Sequence, residues 1–334
     1  MNGMSTRFVK RFSGLDGYPV AAGDQRIKVL LLLATYVCLG ITVLGFNRSP
    51  LQILLVVLST CLLDTLLHRT LKGRWLFPLS AAITGFSLAI LVNYSHSLWL
   101  PLVPPFLAIA SKYTFTVNGR HVYNPSLFGL VIAIWISSEM ISPAPGYQWG
   151  GYPAVAVFIV TAAVLLFALK IQRVALIVSF LIFYALNLAI RAWLMRWHVP
   201  PETLILGTLT SPAFYLFTFF MITDPATSPK SARGQIAMSF GICTIDLFLQ
   251  QYGGFATLFK AAFVVYSWMF VWKLNQRFRS SPREFRSGIL GAARNAVVES
   301  LVAFALLLTY LWSDAVRSGS DAGFQLTPIA SAEH

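Results

Sequence analysis

Long apolar runs recur from residue 28 almost to the C-terminus and predict an all-α polytopic membrane protein. Composition agrees: 57% of the 334 residues are hydrophobic and 11% charged, too few charges to clothe a soluble globule of this size. Basic residues also fall unevenly between the runs, as they do in membrane proteins. The net charge of +13 is read as that topological bias, so no nucleic-acid partner is expected.

A bilayer core takes about 20 mostly apolar residues per helix, and on that criterion the chain has eleven candidate spans. Residues 1–27 carry Arg7, Lys10 and Arg11, and this segment is too polar, with those charges too far from the first apolar run, for a cleaved signal peptide. They read as a cytoplasmic N-terminal segment, with insertion driven by the first retained helix and not by a cleaved signal. The first two spans are residues 28–46 and 51–68. The third (76–93) and fourth (98–111) are joined only by Tyr94 to Leu98 before Pro101, Pro104 and Pro105, so one or both are expected to be broken or tilted. The fifth (124–140) should start sharply, because Asn124 is a good N-cap and Pro125 fits the first helical position.

The sixth and seventh spans, 152–170 and 172–195, meet at the basic junction of Lys170 and Arg173. The eighth (203–223) should end at Asp224, since a residue before proline is pushed out of the helical region. The ninth (234–250) and tenth (254–273) are joined by the short turn Gln251 to Gly254, and the eleventh (295–313) follows the longest basic loop. The organisation expected is therefore a ten-helix core over 28–273, a basic cytoplasmic linker over 274–294, an additional transmembrane helix over 295–313 and an outer tail over 314–334. The linker suits contact with anionic headgroups of the lipid membrane.

Charge orients the chain. With the N-terminus inside, 20 of the 25 Lys and Arg residues fall on the cytoplasmic side, and only Arg48, Arg191, Arg196 and Arg317 fall outside. This asymmetry predicts an N-inside, C-outside protein. Trp75, Trp99, Trp193, Trp197, Trp272 and Trp312 lie near span ends, where indole prefers the interface. The cysteines Cys38, Cys61 and Cys243 sit in apolar runs without a CxxC pair, which predicts packing roles and no metal site.

Three polar segments interrupt the apolar pattern, all on the cytoplasmic side of this topology. They are Pro78 to Gly85, Ser111 to Pro125, and Met221-Ile222-Thr223-Asp224-Pro225-Ala226-Thr227-Ser228-Pro229. Their hydroxyls and freed backbone N–H groups suit either ligand binding or helix capping. Ionisable residues within spans are the other functional signal. Asp64 lies late in the second span, a turn from His68 and Arg69, where a local ion pair is the bland reading. Asp246 and Lys260 flank the short turn between the ninth and tenth spans, which invites a pair between them. The histidines sit at span ends with no facing mid-helix pair, which argues against b-type haem. GxSxG, HExxH and Walker motifs are absent, and the residues assign no catalytic group.

Taken in order and spacing, Ala82-Ile83-Thr84-Gly85, then Ser111-Lys112-Tyr113 with Asn124-Pro125-Ser126-Leu127-Phe128-Gly129, then Ile222 to Pro229 with Arg233-Gly234-Gln235, resemble one family. It is the large membrane component shared by Rnf complexes, where it is RnfD, and by sodium-pumping NADH:quinone reductases, where it is NqrB. The likeness spans roughly residues 28 to 275. The resemblance implies a bacterial inner-membrane protein whose ten-helix core is made of two inverted five-helix repeats. It also implies flavin in the membrane part and a place in a redox chain coupled to ion movement, as one component of an oxidoreductase complex and not a complete enzyme. On that basis Thr84, Gly85, Lys112, Asn124, Thr223, Asp224, Thr227 and Ser228 are the candidate flavin-binding residues; Asp64, Asp246 and Lys260, as ionisable residues within spans, are the candidate ion pathway, and Asp64 also matches the family's acidic residue late in the second helix.

The chain departs from the family in one loop. Members that carry covalent FMN attach it through a threonine in an SGAT-type loop after the fifth helix, and the corresponding segment here, Ser137 to Gly151, contains no threonine. The acidic start of the third helix is also replaced, by Pro78-Leu79-Ser80-Ala81. The pattern is similar to a divergent branch among enediyne-biosynthesis-associated membrane proteins. The expected cofactor is thus a non-covalent flavin, FMN or riboflavin, and not covalent FMN. Two other readings stay open: a redox-silent ion or metabolite transport subunit, and a scaffold that holds an external partner protein through the eleventh span.

Overall fold

The computed structural model describes residues 24–75, 77–94, 100–117, 120–137, 140–144, 151, 154–161, 173–252, 256–280, 282, 289–296 and 299. The first half contains α1 (Gln25–Thr42), α2 (Pro50–Lys72), α3 (Leu79–Leu91), β1 (Val92–Tyr94), α4 (Val103–Thr114), β2 (Thr116–Val117), β3 (Arg120–His121), α5 (Pro125–Ile136) and β4 (Ile141–Pro143). After a helical stretch at 154–161 come α6 (Val174–Leu194), α7 (Pro201–Leu209), α8 (Pro212–Leu216), a π-turn (Phe217–Met221), α9 (Ala232–Gln251) and α10 (Thr257–Ser280). The four strands are too short to be more than pins, so the fold is all-α.

Local chemistry sets many of the helix ends. Asp24 caps α1 by accepting the Arg26 N–H, and α2 stops at Gly73, whose φ of 71° lies in the left-handed region that glycine enters freely. Asn124 caps α5 with Pro125 in its first turn, as its sequence predicts. The eighth span breaks where its apolar run predicts a continuous helix: α7 and α8 meet at 54°, because Pro212 has no N–H to offer and holds Ser211 extended. The π-turn then ends at Met221, just short of Asp224.

Three described helices, α2, α6 and α10, are long and apolar enough to cross a membrane, and the bent α7–α8 pair makes a fourth. On α6, Val178, Ile182, Leu186 and Ile190 recur every fourth residue and stay exposed, while Phe180, Tyr184 and Leu188 are buried. That is the surface of a helix facing lipid on one side and protein on the other. These features make the chain a polytopic membrane protein.

At the third and fourth spans, where a broken or tilted helix is expected, and also at the fifth, the helices are shorter than their apolar runs. Helices α3, α4 and α5 have 13, 12 and 12 residues, about 18–20 Å against a hydrocarbon core of about 30 Å. The apolar sequence continues past them as extended chain instead. β1 pairs antiparallel with β4, with Val92 opposite Pro143 and Tyr94 opposite Ile141, so the backbone groups beyond the short α3 and α5 satisfy each other. The sixth span is described only at 154–161, and of 295–313 only Asn295, Ala296 and Glu299 are described. The segments 1–23 and 314–334 lie outside the described residues.

Close helix contacts bring the half-length helices together. A Cβ on Gly85 would sit 2.4 Å from Thr60 Oγ1 and 2.9 Å from Val57 Cα, so α3 lies directly on α2. Gly129 plays the same part on α5, where a Cβ would meet the Pro104 carbonyl oxygen at 2.4 Å and Ala108 Cβ at 2.8 Å on α4.

Candidate functional site

Where the short helices converge, a cavity of about 480 Å³ opens between α2, α3, α4, the start of α5 and the segment after the π-turn. Five of the eight candidate flavin-binding residues line it: Thr84, Lys112, Asn124, Thr223 and Asp224. They come from four separate stretches of chain: Thr84 from within the short α3, Lys112 from the last turn of α4, Asn124 from the cap of α5, and Thr223 with Asp224 from the turn after the π-turn.

Asp64 of α2 is fully buried, and its partner is not the neighbouring His68 or Arg69 that sequence proximity suggests. Lys112 Nζ lies 3.2 Å from both carboxylate oxygens, and the Tyr113 hydroxyl donates to Asp64 Oδ1 at 2.8 Å. The reason is helical direction: α4 lies against α2 and turns two consecutive polar residues of its last turn onto one carboxylate. Arg69 instead donates to the Gly73 carbonyl and stacks over the Trp75 ring at 5.6 Å.

Asn124 serves two helices at once. Its Oδ1 accepts the Leu127 N–H at 3.2 Å, and its Nδ2 donates to the Met221 carbonyl oxygen, also at 3.2 Å. Asp224 organises the turn that follows: its Oδ1 accepts the Ala226 N–H at 3.0 Å, and its carbonyl accepts the Ser228 N–H at 2.9 Å and the Ser228 hydroxyl at 2.8 Å. The hydroxyls of Thr84 and Thr223 donate to the Ser80 and Phe219 carbonyls four residues back, leaving their lone pairs for another donor.

The other three candidates lie elsewhere. Gly85 faces α2 and serves packing. Thr227 is buried behind the wall, 3.4 Å from the Tyr266 hydroxyl, and Ser228 accepts from Arg173 Nε at 2.8 Å on the far side of the turn. Sequence reasoning overlooked His68, Tyr113, Ser126, Phe219 and Phe220, which also line the cavity. Tyr113 carried a signal in its adjacency to Lys112, whereas the phenylalanines are indistinguishable in sequence from ordinary apolar helix.

Arg26, Lys72 and Lys112 face Asp64 and Asp224 across this space, so cations outnumber carboxylates. At the rim, the Arg26 guanidinium hydrogen-bonds to Asp24, with Nη2 2.5 Å from Oδ2, and holds that carboxyl below the usual carboxylate range.

The remaining ion-pathway candidates do not join this cavity. Asp246 is buried between α6 and α9, where Asn187 Nδ2 and Gln250 Nε2 each donate to its Oδ2 at 3.0 Å. It forms no ion pair with Lys260; the ion pairs among the described residues are Asp24 with Arg26 and Asp64 with Lys112. The eleventh-span residues reach the back of the cavity instead: Asn295 Nδ2 donates to the Tyr113 carbonyl at 3.1 Å, and the Thr114 hydroxyl donates to Glu299. No group of three or more His, Cys, Asp or Glu side chains among the described residues is placed to hold a metal ion.

Comparison with known proteins gives the same direction as the motifs. Residues 147–265 match the NQR2, RnfD, RnfE family, a region that contains the segment from Ile222 to Gln235. The chain is also 25% identical to a component of the ion-translocating oxidoreductase complex of Pseudomonas aeruginosa strain LESB58, over 71% of this chain and 86% of the relative. The corresponding protein of strain UCBPP-PA14 is similar to the same degree.

Proposed function

We propose, from the match of residues 147–265 to the NQR2, RnfD, RnfE family and the 25% identity to a component of an ion-translocating oxidoreductase complex, that the chain is a member of this family, serves as the membrane subunit of an Rnf-type ion-translocating oxidoreductase complex and holds a non-covalent flavin in the 480 Å³ cavity. The observation that carries this reading is the convergence of Thr84, Lys112, Asn124, Thr223 and Asp224 on one space. Its volume falls within the roughly 300–1,000 Å³ of small-molecule sites. The donor set also fits the group. Hydroxyls, a carboxamide and an ammonium match the polar edge of an isoalloxazine, while Phe219 and Phe220 offer ring faces.

A bound flavin supplies one-electron and hydride chemistry to such a complex. The chain's own residues do the rest. Lys112 places positive charge beside the polar edge, and Asp64 with Tyr113 fixes where that ammonium sits. Asn124 holds the cavity's two sides in register through Met221. We assign the cavity to the cytoplasmic side, in an N-inside chain of the bacterial inner membrane, with the other subunits of the redox complex as partners. The shared location of the helix start at Leu79 and Ser80 and a helix end near Thr223 supports two inverted repeats meeting at the site.

The test is to purify the full chain in detergent, record flavin absorbance and precipitate the protein with acid. The expected result is a yellow preparation whose chromophore stays in the acid supernatant. A folded but colourless chain overturns the reading, and chromophore carried down with the protein overturns its non-covalent part.

The buried Asp64–Lys112 pair favours a second reading, a redox-silent ion or metabolite transport subunit, since it needs no cofactor to be functional. In that case Asp64→Asn abolishes ion flux in proteoliposomes of a colourless protein. Unchanged flux rejects it.

A further inference from the structure

A second and larger cavity, about 1480 Å³, runs as a groove between α9 and α10 on the other side of the Pro225–Ala226 wall. We propose that this groove is a binding site for an anionic diacyl phospholipid, its phosphate at the polar mouth and an acyl chain along the apolar floor. The inference stands apart from flavin occupancy.

Charge identifies the headgroup. Arg120, Lys230, Lys273 and Arg277 gather at the mouth, no carboxylate lines the groove among the described residues, and none of the four cations is in an ion pair there. Arg277 Nε is shielded from solvent and has no hydrogen-bond partner among the described residues. A shielded guanidinium nitrogen without an acceptor is costly, and a phosphodiester oxygen supplies one.

Length identifies the tail. Gly234 near the mouth and Ile245 at the far end both line the groove, eleven residues apart on α9, which is about 16 Å of helix. That is about half of the roughly 30 Å hydrocarbon core, the reach of one leaflet. The floor is shallow on the α9 side, where Gly234, Ala237 and Gly241 present no bulk, and Val264 and Trp268 of α10 form the facing wall. Trp268 is 75% exposed, an indole set where a lipid chain meets protein. The volume exceeds the usual range for compact cofactors, and the one-leaflet depth with a cationic rim matches an inner-leaflet lipid in both charge and length.

The experiment titrates brominated phosphatidylglycerol or brominated phosphatidylcholine into the detergent-purified full chain and follows tryptophan fluorescence. Phosphatidylglycerol is expected to quench at much lower mole fraction, and Trp268→Phe with Trp272→Phe to remove most of that quenching. Each surface cation near an anionic headgroup contributes roughly fivefold in affinity, so Lys230→Gln with Arg277→Gln should weaken binding about thirtyfold. Gly241→Leu keeps every charge, and its Cβ meets only Val265 Cγ2 at 3.5 Å, an ordinary contact. It should block the tail and reduce quenching in a chain that still elutes as a single species. Equal quenching by the two lipids, an unchanged Gly241→Leu variant, or full displacement by inorganic phosphate would each overturn the proposal.

Discussion

Asn124 Nδ2 donates to the Met221 carbonyl oxygen at 3.2 Å, tying the first turn of α5 to the end of the π-turn 97 residues later. The Met221 carbonyl is one that a helix end leaves without an intrahelical partner, and Asn124 supplies its donor while capping its own helix. Asn124→Ala removes both bonds in a buried site. A lost cap and a stranded acceptor together cost about 2–3 kcal/mol. Asn124→Asp keeps the cap oxygen but loses the donor, and should fall between. Thermal melting in detergent orders the three proteins; equal melting of Asn124→Ala and wild type contradicts the coupling.

The pair of Asp64 and Lys112 predicts strong non-additivity. Asp64 is 1% exposed and the Lys112 side chain 12%, so Lys112→Met alone leaves a buried carboxylate unpaired, at a cost of about 3–5 kcal/mol. Adding Asp64→Asn should recover most of that loss. A double-mutant cycle on unfolding midpoints reads the coupling, and additive effects would show that the pair is not formed.

Gly85 is predicted to matter for packing and not for ligand contact. Gly85→Ala drives a methyl against Thr60 and Val57, which should destabilise by about 1–3 kcal/mol, while Thr60→Ala in the same chain relieves part of it. Flavin bound per folded molecule should stay unchanged in the double variant. A selective loss of flavin would place Gly85 in the site after all.

At the rim, Asp24 gives a small pH effect. The Arg26 side chain depresses its carboxyl pKa in the folded chain, so the stabilisation is present above the ordinary carboxylate value and lost as pH falls through the folded one. Solvent screening keeps this to about 0.5 kcal/mol or less. Asp24→Asn should lower the melting temperature slightly at neutral pH and leave it unchanged below the folded carboxyl's titration, which flattens the acid limb of the profile.

Local chemistry was the part of this molecule that sequence could convey. The Asn124-Pro125 cap and the helix end before Asp224 follow from the conformational demands of single residues, and the motif spacing brought Thr84, Lys112 and Thr223 under one family resemblance. Distance in sequence hid the rest. Val92 pairs with Pro143 through backbone bonds that carry no side-chain signature, so apolar extended chain read as helix and lengthened the third and fifth spans. Asp64 looked paired to its neighbours because nothing in a linear pattern reports that α4 lies on α2 with Lys112 turned toward it. The bend at Pro212 was visible as a proline, but an apolar run on both sides masked it.

The central claim is that the cavity around Thr84, Lys112 and Asn124 holds a flavin without a covalent bond. Flavin per folded chain, measured by absorbance in the wild type and in Thr84→Leu, which adds apolar bulk to the cavity wall and removes its hydroxyl, tests it most directly. About one acid-released flavin per wild-type chain is expected, with a large loss in the variant and both proteins eluting as single species. Equal flavin in the two, or none in a folded wild type, would contradict it.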